Sequence, residues 1–72
     1  MDARHVNKRS ITINGHRTSL SLEDEFWQQL KHIAAKQNTS INALVSRIDE
    51  TRRNQNLSSA LRVYVLKEVL DL

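Results

Sequence analysis

There is no cysteine among the 72 residues, so no disulfide can staple a chain whose single core is small. The three histidines, His5, His16 and His32, have neither the companions nor the spacing of a structural zinc site. No metal and no cofactor are therefore expected, His16 and His32 are read as polar surface or rim residues, and oligomerisation is left as the remaining support for the fold. No apolar run approaches the ~20 residues of a membrane span, and Met1-Asp2-Ala3-Arg4-His5 has no signal-peptide apolar segment. The expectation is a cytoplasmic protein with no membrane partner. With one glycine, Gly15, there is no phosphate-cradling loop, and no carboxylate pair sits in a plausible pocket. The chain is not expected to be an enzyme.

One stretch has strand periodicity, from Lys8 to Leu22. Asn14-Gly15 at its middle is the signature of a two-residue type I′ hairpin, because both turn residues must take positive φ. The turn sets the register: Ile13 opposite His16, Thr12 opposite Arg17, Ile11 opposite Thr18, Ser10 opposite Ser19. Cross-strand partners share a side, so one face carries Ile11, Ile13, Thr18 and Leu20, and the other Lys8, Ser10, Thr12, Arg17 and Ser19. Such a sheet can rest on a core and present donors outward.

The remainder reads as three helices. Ser21 is placed to cap helix A, with Asp24 at the capping-box position and Leu22-Glu23-Asp24-Glu25 as an acidic first turn suited to the macrodipole. Phe26, Trp27, Leu30, Ile33 and Ala34 give its apolar stripe to about Gln37, and Phe26 and Trp27 are worth more buried than as stacking platforms. Asn38 suits a left-handed C-cap. Thr39 or Ser40 caps helix B, whose Ile41, Leu44, Val45 and Ile48 fall at i, i+3, i+4 and i+7. Asn54-Gln55-Asn56 interrupts the pattern, and Asn56 or Ser58 starts helix C. There Leu57, Leu61, Val65 and Val69 step by four, while Tyr64, Leu66, Leu70 and Leu72 widen the apolar surface, so this helix is expected against helix A, helix B or a second chain. Residues 1–7 are polar and aperiodic, a flexible arm preceding a domain over 8–72.

The net charge of +3 and pI near 9.8 favour an acidic partner. Arg4, Lys8, Arg9 and Arg17 meet only Asp2 in the hairpin region, and Arg52, Arg53, Arg62 and Lys67 outnumber Glu68 and Asp71 near the end. Positive charge gathered in this way is what a phosphate-meeting surface needs.

Thr18-Ser19-Leu20-Ser21-Leu22 running into helix A, with Ser40-Ile41-Asn42 opening helix B, resembles the ribbon-helix-helix (MetJ/Arc-type) family of bacterial DNA-binding proteins. The Asn-Gly hairpin, the Phe26-Trp27 pair and Asn56-Leu57-Ser58-Ser59-Ala60-Leu61-Arg62 are similar to a small bacterial subfamily with an extra C-terminal helix, and the likeness covers residues 9–66. It implies an α+β, mostly helical fold, an N-terminal hairpin followed by three helices, assembled as an intertwined obligate homodimer or a higher oligomer. It implies a transcriptional regulator reading double-stranded DNA, with one strand from each chain entering the major groove. Carried onto this sequence, Arg17, Ser19 and Ser21 are the base-reading side chains, Arg17 suiting guanine. Ser40, Ile41 and Asn42 at the start of helix B are the phosphate contacts, joined by Lys8 and Arg9 of the outer strand. The dimer core is expected from Leu20, Leu22, Trp27, Leu30, Ile41, Leu44, Val45 and Ile48. The ordinary readings are an N-cap for Ser40, exposed strand residues for Thr12 and Ser19, and edge-protecting charges for Lys8 and Arg17.

The sequence departs from the family in one respect. The added strand makes a dimer's sheet four strands wide, about 14 Å across the backbones against a groove of about 12 Å. Either the outer strands ride on the groove's lips, or DNA is met differently, or binding is lost. The alternative function is an antitoxin-like adaptor that holds a protein partner through helix C, with little or no DNA binding.

Overall fold

The structure, a computed structural model, describes residues 6–53 and 56–71. It begins with the hairpin, β1 (Val6–Ile13) and β2 (His16–Glu23), and continues with α1 (Asp24–Lys36), α2 (Ile41–Thr51) and α3 (Leu57–Leu70). Asn14 and Gly15 both have positive φ, 52° and 83°, as a type I′ turn requires. The register is the one the turn dictates, Ile13↔His16 through Ser10↔Ser19, and it continues in step to Val6↔Glu23. Val6 and Asn7, expected in the arm, therefore belong to β1; the rest of the arm lies outside the described residues.

The longer strand moves the start of the first helix. Ser21 pairs with Lys8 inside the sheet, so it does not cap α1; the N-cap is Glu23, whose side chain makes no capping bond. Its carboxylate is engaged elsewhere, accepting from Arg62 Nε at 2.8 Å and Nη2 at 3.2 Å. Asp24 and Glu25 still occupy the first turn of α1, where the helix dipole favours negative charge. At the other end Asn38 takes the left-handed conformation, φ 56°. The N–H of Thr39 donates to Ala34 O and that of Asn38 to Ala35 O, closing a Schellman motif. Ser40 caps α2, its Oγ accepting from the Ala43 N–H at 3.0 Å, and Asn56 caps α3 through the Ser59 N–H.

All three helices land on one side of the hairpin, α2 against β1 and α1 and α3 against β2. The buried set is Ile11, Ile13, Leu20 and Leu22 from the strands, Leu30, Ile33 and Ala34 from α1, Leu44, Val45 and Ile48 from α2, and Ala60, Leu61 and Val65 from α3. Six of the eight side chains expected to form a core between two copies, Leu20, Leu22, Leu30, Leu44, Val45 and Ile48, are thus buried inside one chain; Trp27 and Ile41 are half-buried against it. The added strand supplies Ile11 and Ile13, and α3 supplies Ala60, Leu61 and Val65, to the same buried set. Two further expectations change. Thr18 shares the core side of the sheet but is exposed, and Val69, the last step of the α3 stripe, is 62% exposed at the rim of clefts it lines with Phe26, Gln29 and Ile33 of α1. Leu72 lies outside the described residues. No helix among the described residues is long and apolar enough to cross a membrane.

Replacing Gly15 with Ala tests the turn alone, because a Cβ there meets nothing within 4 Å and the strain is purely that of positive φ. The variant is expected to lose about 1 kcal/mol, seen as a lower urea midpoint with an unchanged m-value.

Candidate nucleic-acid interface

Alternation along the paired strands gathers Lys8, Ser10 and Thr12 of β1 and Arg17, Ser19 and Ser21 of β2 on the side of the hairpin away from the helices. Every one of these six side chains is exposed. Lys8 and Arg17 supply its positive charge. Strand parity places a single acid, Glu23, on this side, at its far end, and Arg62 of α3 holds that carboxylate in an ion pair. The face is therefore basic and rich in hydroxyls, with its one negative charge neutralised from behind.

Two contacts organise the face further. Arg17 Nη2 donates to Ser10 Oγ at 2.8 Å, across to the outer strand. The Ser58 hydroxyl of α3 donates to the Ser21 carbonyl at 2.7 Å. That carbonyl is available because antiparallel pairs alternate in their bonding. With Ile13↔His16 closing the hairpin, the backbone groups of Arg17, Ser19 and Ser21 point away from β1. Arg17 and Ser19 thus present side chains on the exposed face and N–H and C=O groups along the edge of β2, and Ser21 its side chain and N–H, its carbonyl being taken by Ser58; no further strand lies beside this edge among the described residues.

Arg9 departs from its expected place. It pairs with Leu20, so it points to the helix side. Its guanidinium lies over the Trp27 ring at 4.6 Å and donates to Asp24 Oδ1 at 2.7 Å. Its Nε is buried with no hydrogen-bond partner, while the guanidinium carbon stacks over the ring face. A phosphate contact from this side chain alongside Lys8 is not what the geometry offers. The sequence held the signal: continuing the turn's register two pairs beyond Ile11↔Thr18 puts Arg9 opposite Leu20, on the core side.

Ser40, Ile41 and Asn42 sit on a separate element, at the start of α2 after the Schellman turn, while the other end of α2 approaches the hairpin turn. Asp49, Arg52, Ile13, Asn14 and His16 line a small open cleft there. Ser40 and Asn42 are exposed and Ile41 is half-buried. Ser40 Oγ is committed to its capping bond, leaving the hydroxyl hydrogen and the first N–H groups of the helix directed outward. Arg47 and Tyr64 meet at the α1 terminus, where Gln37 Oε1 accepts from Arg47 Nη2 and Gln37 Nε2 donates to the Tyr64 hydroxyl. These bonds tie the three helices together at one point. Among the described residues no group of acidic, histidine or cysteine side chains could hold a metal ion.

Comparison with known proteins places these features. A family model described as a ribbon-helix-helix domain matches residues 6–69. Among solved structures, an uncharacterized protein from Bordetella pertussis Tohama I is similar, with 31% identity and a TM-score of 0.77. The match covers 92% of this chain and 57% of that one, so this chain spans little more than half of that protein's length. No curated protein matches.

The two arginines of the hairpin differ in what they support. Replacing Arg9 with Ala, which removes the Trp27 contact and the Asp24 pair, is expected to cost about 1–2 kcal/mol of stability. Replacing exposed Arg17 with Ala is expected to change stability by less than about 0.5 kcal/mol. Paired urea titrations check the contrast.

Proposed function

The chain belongs to the ribbon-helix-helix domain family, and from that premise we propose that it is a homodimeric, sequence-specific DNA-binding protein acting in transcriptional regulation. Two copies pair antiparallel along the open edges of β2, and the sheet face bearing Arg17, Ser19 and Ser21 turns to the major groove. The observation that carries this reading is the one-sidedness of the hairpin. Every helix lies on the isoleucine and leucine face, and the basic, hydroxyl-bearing face is left uncovered. The start of α2, with Ser40, Ile41 and Asn42, is the second point of contact with the DNA backbone in this reading, as helix N-termini favour phosphate.

Duplex-DNA titration across a salt series tests the proposal. Lys8 and Arg17 from each chain give four cations per dimer, so log K is expected to fall with log[salt] at a slope of about −3.6, roughly a hundredfold loss between 50 and 200 mM. Binding that stays weak and flat across that range would overturn the reading.

One observation favours a second reading. Leu66, Val69 and Leu70 of α3 are 54%, 62% and 55% exposed, an apolar stripe that suits a protein partner of the kind an antitoxin-like adaptor holds. Replacing Leu66 and Val69 with Glu separates the two functions. Intact DNA affinity is the outcome expected if the sheet face carries function; lost capture of a co-purifying protein with no DNA binding in either form would support the adaptor.

A further inference from the structure

We propose that Lys8, Ser10 and Arg17 form a clamp for a DNA phosphate on the outer flank of the sheet, so that Arg17 grips the backbone and does not read a base. The inference rests on the DNA-binding reading above and refines it.

Its basis is the direction in which Arg17 reaches. Arg17 faces Thr12 across the hairpin and Ser10 faces Ser19, yet Arg17 Nη2 donates to Ser10 Oγ at 2.8 Å. The guanidinium therefore runs diagonally over β1, away from the open edge of β2. In a dimer joined through β2, β1 is the outermost strand, about 7 Å from the two-fold axis at the usual strand spacing. The wall of the major groove lies about 6 Å from its centre. A guanidinium resting over β1 is at that wall, level with the phosphates, while Ser19 and Ser21 remain on the inner strand above the base edges.

The chemistry at this position suits an anion. Ser10 Oγ accepts from Arg17 and keeps its own hydrogen to donate, and Arg17 has spent one of five N–H donors. Lys8 stands two residues from Ser10 on the same exposed face and adds a second positive charge. A phosphate oxygen takes all of these contacts, whereas a guanine edge offers two neutral acceptors and leaves the added strand without a role. The clamp gives the outer strand a place at the groove's lip, which a flat four-stranded insertion lacks.

The experiment compares two duplexes over a salt series: one recovered by the wild-type protein from a randomised pool, and one of unrelated fixed sequence. Arg17→Ala is expected to weaken both by the same factor, about tenfold. The salt slope is expected to become shallower by about 2 per dimer. Its own selection from the pool is expected to return the wild-type motif. Ser10→Ala should give a smaller loss on both duplexes that Ser10→Thr restores, and Arg17→Lys should keep most of the slope. The clamp is overturned if Arg17→Ala erases a guanine from the selected motif while leaving the unrelated duplex unaffected, or if it changes neither affinity. Wild-type protein that binds neither duplex overturns the DNA-binding reading itself, and the clamp with it. Circular dichroism of each variant confirms that the exposed substitutions leave the fold in place.

Discussion

Two consecutive residues with positive φ, Asn14 and Gly15, are the constraint on which the rest of the molecule depends. A type I′ turn admits one register, and that register decides which residues alternate to each side over eight pairs. A slip of one residue would send Ile11, Ile13, Leu20 and Leu22 to solvent and Lys8, Ser10, Arg17 and Ser19 to the core. Because the apolar residues all fall on one side, the helices have only one surface to bury against. The basic face is what remains after that packing is complete.

The charges of the hairpin are sorted by the same geometry. Arg9 goes to the helix side, where Trp27 and Asp24 hold it at the start of α1. Glu23 falls by parity on the basic side, and Arg62 draws its carboxylate to α3. One ion pair removes a cation from the candidate interface and the other masks its acid, so the field of the exposed face is set by Lys8 and Arg17. Both pairs lie where strand passes into helix. They therefore also tie the hairpin to the helical layer at a junction where the N-cap Glu23 makes no side-chain capping bond.

Much of this was legible in the sequence because it depends on local rules. The Asn-Gly turn, the register near it, the left-handed Asn38, the caps narrowed to Thr39 or Ser40 and to Asn56 or Ser58, and the stripes of α1 and α2 are each decided by residues close together in the chain. What was not legible depends on partners far apart. Ser21 looks like an N-cap until β1 is known to pair as far as Val6, which keeps it in the strand. The register alone puts Arg9 on the core side, but its partners there, the Trp27 ring and the Asp24 carboxylate, come from a helix that only the fold brings against it. The closure of the core within one chain required knowing that α3 packs on α1, α2 and β2 together, and its apolar residues on nearly every side gave no direction to that packing. Of the candidate interface, the sheet face was readable from alternation alone, while the lean of Arg17 toward Ser10 was not, since a flexible side chain has no sequence signal for its rotamer.

The closed core changes what kind of event assembly is. In an interlaced pair each subunit owes its existence to the other, and parting means melting. A chain that shelters Leu22, Leu30, Leu44 and Leu61 by itself would instead, in the proposed dimer, meet its twin as a folded body along a strand edge. Abundance and salt would then govern how much of that proposed paired form exists, and subunits would be able to trade places between pairs without unfolding.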